Sequence, residues 1–139
     1  MSMSEDKKRI TIEEALNKYS GVLNNPDGFS DITGPCGDKM AFYFKIKDGR
    51  ISEIKFKATG CGVTLTCGAV VAFTADGLPL SEALRISPAY ITDTIGYIPS
   101  DHKHCPILAA TSFYGAVANY FLKVEKEMEI KGEKEEPQW

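Results

Sequence analysis

Three of the four cysteines in this chain lie in short turn motifs, and two of these motifs include a second potential metal ligand. The motifs are Pro35-Cys36-Gly37-Asp38, Gly60-Cys61-Gly62 and His104-Cys105-Pro106. Soft thiolates joined by one harder oxygen or nitrogen ligand suit zinc or an iron-sulfur cluster, and mixed ligation changes the potential or the lability of a cluster. Because the motifs are far apart in sequence, they predict a site that folding assembles.

The predicted site has five candidate ligands for four coordination positions: Cys36, Asp38, Cys61, His104 and Cys105. Asp38 follows Cys36 by two residues, and on a strand this spacing points both side chains to the same face. The neutral imidazole of His104 is an equally good fourth ligand. The surplus of candidates indicates that ligands exchange.

Two of these cysteines are predicted to stand at helix N-termini. Cys61 precedes an apolar helical segment, and Cys105 precedes Pro106, which is expected at the first position of the last helix. Exposed amides and the positive end of the helix dipole favour thiolate over thiol there. Both cysteines are therefore expected to be reactive or metal-bound.

The remaining thiol and imidazole are predicted to have other surroundings. Cys67 lies in the middle of the apolar segment that follows Cys61, so it is expected in the core, with a role as a spare thiol as the alternative. His102 is flanked by Asp101 and Lys103, which predict an exposed loop and no ligation. The simplest alternative for any single Cys-Gly pair is a buried structural thiol beside a turn glycine.

Length and composition favour one domain with a core of its own. The chain has 139 residues, of which 43% are hydrophobic and 25% charged, so it needs no cross-links to fold. We expect a flexible N-terminus over 1–10, a single domain over 11–126 and a charged tail over 127–139. A net charge of -3 argues against a nucleic-acid surface, which requires a basic stripe.

The start of the chain is polar and shows no apolar signal-peptide core, so the expected compartment is the reducing cytoplasm. The longest weakly polar run, 106–122, is interrupted by Thr111, Ser112 and Asn119. It falls short of the roughly 18–20 apolar residues of a membrane span, so it predicts a buried helix and no membrane partner.

Local patterns predict an α+β fold. Thr11 and Glu14 form a capping box for a helix over 12–19. Alternating residues from Met40 to Ile46, the turn Asp48-Gly49 and a return strand predict an antiparallel hairpin with one buried face. A third strand is expected over 29–33, because a two-stranded sheet is marginal.

Helices are predicted to cover the buried face of this small antiparallel sheet, over residues 63–75, 81–85, 88–95 and 106–126. Apolar residues in the last segment repeat at steps of three and four, as in a helix packed across a sheet. That stripe comprises Ile107, Ala110, Tyr114, Val117, Phe121 and Val124.

Taken together, the motifs resemble the U-type iron-sulfur cluster assembly scaffolds, IscU and the N-terminal domain of NifU. The resemblance runs from about residue 23 to 121. It rests on Gly34-Pro-Cys-Gly-Asp38, a strand hairpin, Thr59-Gly-Cys-Gly62, Leu80-Ser-Glu-Ala-Leu84 and Lys103-His-Cys105, in the order of the family. It implies a SufE/NifU-like fold.

The resemblance also implies a function. Cys36, Asp38, Cys61 and Cys105 look like the ligands of a labile [2Fe-2S] cluster, or of iron or zinc, with His104 exchanging in. Cys105 looks like the acceptor of persulfide sulfur from a cysteine desulfurase, and the cluster would pass to apo-proteins or a carrier. Such a protein is a scaffold and not an enzyme, and it is a monomer or a homodimer.

Two alternatives remain open at this point: a zinc-dependent sulfur relay and a structural zinc module. No long insertion separates Cys61 from Cys105, which argues against the sulfurtransferase branch of the family. The segment from Ile98 to His102 replaces the Leu-Pro-Pro-Val-Lys sequence that a dedicated Hsp70 chaperone binds in many members, so that partnership is not expected.

Overall fold

The computed structural model describes residues 9–35 and 37–130, so Cys36 and both ends of the chain lie outside the described residues. In chain order the elements are α1 (Ile12–Tyr19), β1 (Gly28–Thr33), β2 (Lys39–Lys47), β3 (Arg50–Thr59), α2 (Gly62–Ala75), α3 (Leu80–Ala83), α4 (Pro88–Ile95) and α5 (His104–Ile130), with a 3-10 turn at Ser100–His102. The helices follow the predicted order, and α1 and α4 have the predicted bounds.

The capping box predicted for α1 is present. The backbone amide of Glu14 donates to the hydroxyl of Thr11 at 3.0 Å, and the amide of Thr11 donates to the carboxylate of Glu14 at 2.9 Å. Each side chain thus satisfies a backbone donor that the first helical turn leaves unpaired.

The predicted three-stranded antiparallel sheet is confirmed, with strand order β1-β2-β3. The turn between β2 and β3 has positive φ at Asp48 (55°) and Gly49 (75°), the geometry of a tight hairpin. Lys39 pairs with Thr59, so the start of β2 and the end of β3 meet at the same edge of the sheet. The residues that precede β2 and follow β3 are therefore brought together.

The core lies between one face of the sheet and helices α2 and α5. Met40, Phe42 and Phe44 of β2 are fully buried, as their alternation predicts. Phe113 of α5 packs edge-on against Phe42, with ring centroids 5.9 Å apart. Exposed charged side chains such as Glu53 project from the opposite face of the sheet.

Helix α5 differs from its prediction in both bounds. It begins at His104 and ends at Ile130, so Pro106 is its third residue and not its first. Proline is tolerated there because the amides of the first turn have no acceptor within the helix. Residues 127–130, expected in the charged tail, are helical.

The predicted buried stripe of α5 is also partly wrong. Ala110 and Val117 are buried, but Ile107 is 55% and Phe121 is 50% exposed. The buried sector is centred on Phe113, because β1, β2, α2 and α4 all pack against this helix. A helix that is apolar on several sides does not indicate by periodicity which side contacts the sheet.

The segment Ser100–Ile130 could cross a membrane by length and composition alone. Half of the most apolar stretch of this segment is buried inside the fold, where α5 forms part of the core. The observed environment is that of a core helix, as the sequence predicts.

Candidate metal centre

Four of the predicted site residues meet at the edge of the sheet where β2 starts and β3 ends. Asp38 precedes β2, Cys61 is the N-cap of α2, and His104 and Cys105 begin α5. The fifth candidate, Cys36, lies outside the described residues. Packing of α5 against α2 and the sheet brings three distant segments of the chain to this edge.

The close approach of these segments requires glycine at position 60. Gly60 has a φ of +150°, and a Cβ there would lie 2.9 Å from the hydroxyl of Thr64 and 3.0 Å from Cγ of Asp38. A larger residue would therefore push the Asp38 carboxylate away from α2.

One side of the site combines oxygen, nitrogen and sulfur. Nε2 of His104 lies 3.5 Å from Oδ2 of Asp38 and 3.8 Å from Sγ of Cys105. The three donor atoms lie within 4.8 Å of one another, close enough to bind one metal ion. His104 and Asp38 have 25% and 20% of their side chains exposed, so the group is reachable from solvent.

The other side of the site includes a residue that was predicted not to ligate. Nδ1 of His102 lies 3.2 Å from Sγ of Cys61, and these atoms form a second compact group with Sγ of Cys105. His102 was expected in an exposed loop, yet its side chain is only 29% exposed. The 3-10 turn before α5 directs it inward. The spacing of His102 and Cys105, three residues apart as on one helical turn, could have signalled this.

Thr64 joins the two sides and was not identified from the sequence. Its hydroxyl donates to Oδ2 of Asp38 at 3.2 Å and lies 3.4 Å from Sγ of Cys105 and 3.6 Å from Sγ of Cys61. The residue is fully buried. It lies in the first turn of α2, three residues after Cys61, so a polar residue at that spacing was the available signal.

Of Cys61 and Cys105, which were both expected to favour the thiolate, only Cys61 has a lowered pKa. The pKa of Cys61 is lowered to about 7, chiefly because the backbone amide of Thr64 donates to its sulfur. Burial raises the pKa of Cys105, although it also stands at a helix N-terminus. Burial therefore outweighs the hydrogen bond with the Thr64 hydroxyl, which lowers the pKa of Cys105.

Cys67 lies in the core, as predicted. It is fully buried, and this burial raises its pKa to about 12. Its surroundings are apolar, and it is not one of the grouped donors. Cys67 is therefore a packing residue in the described structure.

The surface beside Cys61 is open. A shallow cavity of about 450 Å³ is lined by Cys61, His102, Val63, Ile95 and Tyr97, together with Gly62 and Thr66. Tyr97 is 78% exposed there. A large molecule could approach the thiol from this side.

The geometry agrees with a comparison against protein families. Residues 10–127 match the model of the NifU-like N-terminal domain. The chain belongs to this family. The match spans the sheet, the helices and the grouped side chains that could hold a metal, and it confirms the resemblance to IscU and NifU seen in the sequence.

Individual relatives agree with the family assignment. An iron-sulfur cluster assembly scaffold protein IscU of Archaeoglobus fulgidus is 34% identical over 83% of this chain and 78% of its own length. The IscU scaffold protein of Aquifex aeolicus is 28% identical over 87% of this chain and 80% of its own length. The scaffold role in these names is that of the two relatives.

The fold agrees with that of a solved NifU-like N-terminal protein from Brucella abortus. The two structures superpose with a TM-score of 0.61, covering 88% of this chain and 99% of the other, at 17% identity. At this identity the likeness concerns the fold alone.

Proposed function

We propose that this protein is a scaffold on which an iron-sulfur cluster is assembled and from which the cluster passes to acceptor proteins. The observation that supports this most is the meeting of Asp38, Cys61, His104 and Cys105 at one edge of the sheet, in a chain of a family whose members include named scaffolds. The domain over 11–126 carries this function.

The proposed ligands of the cluster are Cys36, Asp38, Cys61 and Cys105, with His104 exchanging for one of them. Thiolates bind iron strongly, whereas a carboxylate is a hard ligand and holds a cluster less tightly. Asp38 would thus keep a [2Fe-2S] cluster transferable. The same donors suit zinc, which would occupy the site when iron and sulfide are absent.

Sulfur is proposed to arrive on Cys105. Its Sγ attacks the sulfane sulfur of a desulfurase persulfide, a new S–S bond forms on Cys105, and the electron pair of the broken bond leaves on the desulfurase thiolate. Because burial disfavours the Cys105 thiolate, a base must take its proton. Nε2 of His104, 3.8 Å from Sγ and 3.5 Å from the Asp38 carboxylate, is the base that we propose.

The partners that follow from this proposal are a cysteine desulfurase and apo iron-sulfur proteins or a carrier, in the cytoplasm. Reduction of the sulfane sulfur to sulfide requires two electrons from an external dithiol or electron-transfer protein. The protein would act as a carrier and not as an enzyme, since the cluster is built on its own side chains and leaves with the acceptor.

Anaerobic reconstitution tests the proposal. The full chain is incubated with ferrous iron, cysteine, a dithiol and a cysteine desulfurase, and iron and acid-labile sulfide per chain are measured after desalting. We expect about as much iron as sulfide per chain on the wild type, the same amounts on Cys67→Ala, and strong loss of both on Cys105→Ala. Cys67→Ala is the matched control, since it also removes one buried thiol.

Three other results would contradict the proposal. Zinc retained with no uptake of iron or sulfide would exclude a scaffold. Sulfur that passes from Cys105 to an acceptor thiol, with no iron bound to the chain at any stage, would favour a zinc-dependent relay. Unfolding on addition of a chelator would favour a structural zinc module, because the free energy of metal binding would then be free energy of folding.

A further inference from the structure

His102 lies outside the ligand motifs described from the sequence, yet it faces the site. It ends the 3-10 turn at Ser100–His102, and its Nδ1 lies 3.2 Å from Sγ of Cys61. Sγ of Cys105 completes the group, with all three donor atoms within 4.8 Å of one another. His102 and Cys105 are three residues apart, so consecutive turns of backbone present both side chains to the same side.

The separation of the donor atoms fits a metal ion. In a tetrahedral site with Zn–S of about 2.3 Å and Zn–N of about 2.0–2.1 Å, sulfur and nitrogen are about 3.5 Å apart. The observed 3.2 Å between Cys61 and His102 is close to this value. A small outward shift of either side chain would therefore admit the ion.

The surroundings of the imidazole also fit a ligand. Its second nitrogen, Nε2, lies 3.8 Å from Oδ2 of Asp101. Metal-bound histidines usually have a carboxylate, a carbonyl or water at the nitrogen that does not bind the metal, which fixes the tautomer and the ring orientation. The exposed Asp101 carboxylate is beyond hydrogen-bond distance here, and a small rotation towards Nε2 would let it accept a hydrogen bond and leave the lone pair of Nδ1 facing Cys61.

We propose that His102 is a metal ligand that acts with Cys61 and Cys105. The site then has one imidazole on each side, His104 beside Asp38 and His102 beside Cys61, with Cys105 common to both groups. This inference deepens the proposed scaffold function, because it gives the Cys61 side its own exchangeable nitrogen ligand.

Nuclear magnetic resonance can identify the nitrogen that binds. The full chain, with ¹⁵N-labelled histidine, is titrated with zinc, and the His102 signals are assigned by their absence in His102→Gln. We expect the Nδ1 resonance of His102 to move to the position of a metal-bound nitrogen as zinc saturates the site. A His102 ring that keeps its metal-free resonances while zinc is bound would overturn the proposal, as would a chain that binds no zinc.

Zinc affinity gives the second readout, by competition with a chromophoric chelator. Loss of an outer-shell partner typically costs about 10–100-fold in metal affinity, so loss of a direct ligand in His102→Gln should cost at least about tenfold. Lys103→Gln, an exposed neighbour, should bind as the wild type does. Equal affinities of the two variants would overturn the proposal. Melting of the metal-free variants checks that both fold.

The two proposals can fail separately. If the wild type assembles iron and sulfide but its His102 does not bind zinc, the role of His102 is excluded and the scaffold function stands. If His102 binds zinc but the chain assembles no cluster, His102 stands as a metal ligand and the scaffold function is excluded.

Discussion

The N-terminus and the middle of helix α2 have very different surroundings, although only a few residues separate them. At its N-terminus, Thr64 donates a hydrogen bond to Asp38 and Cys61 contacts His102, so two other chain segments present polar groups to this end. In its middle, Cys67 is fully buried, and Gly68 is buried in close contact with Phe56. One helix thus contributes both to a tightly packed core and to the candidate metal site, so stability and metal binding should respond to different substitutions.

The largest expected contrast concerns thiol labelling of the metal-free native protein. The pKa of Cys61 is lowered to about 7 and that of Cys67 is raised to about 12. At neutral pH about half of Cys61 and almost none of Cys67 is thiolate, which is the nucleophile. The thiolate of lower pKa is the weaker nucleophile, which reduces this contrast, but Cys61 should still react with iodoacetamide at least about a hundredfold faster than Cys67.

Peptide mapping by mass spectrometry measures this contrast. Because the pKa of Cys61 is lowered, its labelling should rise as pH increases through about 7 and then level off. In denaturant the two cysteines should react at similar rates, which serves as the control. Similar rates in the native protein would mean that the two ends of α2 are not different environments.

The second contrast is between the core and the site as sources of stability. Phe113 is fully buried and packs against Phe42 and Phe44. Phe113→Ala should lower the free energy of unfolding by about 3–5 kcal/mol, through lost burial and a cavity. Urea unfolding of the metal-free protein measures it, and a loss under about 1 kcal/mol would show that this core is loosely packed.

A third contrast uses two glycines of α2. A Cβ on Gly68 would lie 2.5 Å from the Phe56 ring, whereas one on Gly62 meets no described atom within 4 Å. Overpacking costs about 1–3 kcal/mol, and the better helix propensity of alanine offsets up to about 1 kcal/mol. Gly68→Ala should therefore lower the free energy of unfolding by about 1–2 kcal/mol, as measured by urea unfolding.

The matched control is Gly62→Ala, which should leave the free energy of unfolding unchanged or slightly higher. The same stability in both variants would contradict the packing described around Phe56.

The smallest expected effect concerns Thr64, which contacts both sides of the site. Thr64→Val keeps the shape of the side chain but removes the hydroxyl that donates to Asp38. Because outer-shell hydrogen bonds orient ligating carboxylates, zinc affinity should fall about tenfold. Thr64→Ser, which keeps the hydroxyl, should stay within about threefold of the wild type. Chelator competition measures both, and a Thr64→Val affinity equal to that of the wild type would contradict this role.

The sheet and most of the helices were predictable because local rules determine them. The capping box at Thr11, the alternation of β2 and the turn at Asp48-Gly49 each involve neighbours in sequence. The buried side of α5 was not predictable in the same way. It depends on which elements surround the helix, and its sequence is apolar on several sides.

The members of the candidate site could be chosen by residue type, but their arrangement could not be predicted. Asp38, Cys61, His104 and Cys105 could be chosen because their residue types bind metals. The inward position of His102 depends on a 3-10 turn that leads into α5, and the raised pKa of Cys105 depends on burial by the whole fold. Neither effect is encoded in the neighbouring residues alone.

Transfer of an assembled cluster to an acceptor protein distinguishes a scaffold from a permanent metal site. Wild type and Asp38→Ala are loaded anaerobically, desalted and mixed with apo-ferredoxin, with excess ferrous chelator present to trap free iron. We expect the wild type to deliver its cluster despite the chelator, and Asp38→Ala to deliver it more slowly, since the hard carboxylate no longer weakens ligation. Iron that goes to the chelator instead of ferredoxin, or faster delivery by Asp38→Ala, would contradict this expectation.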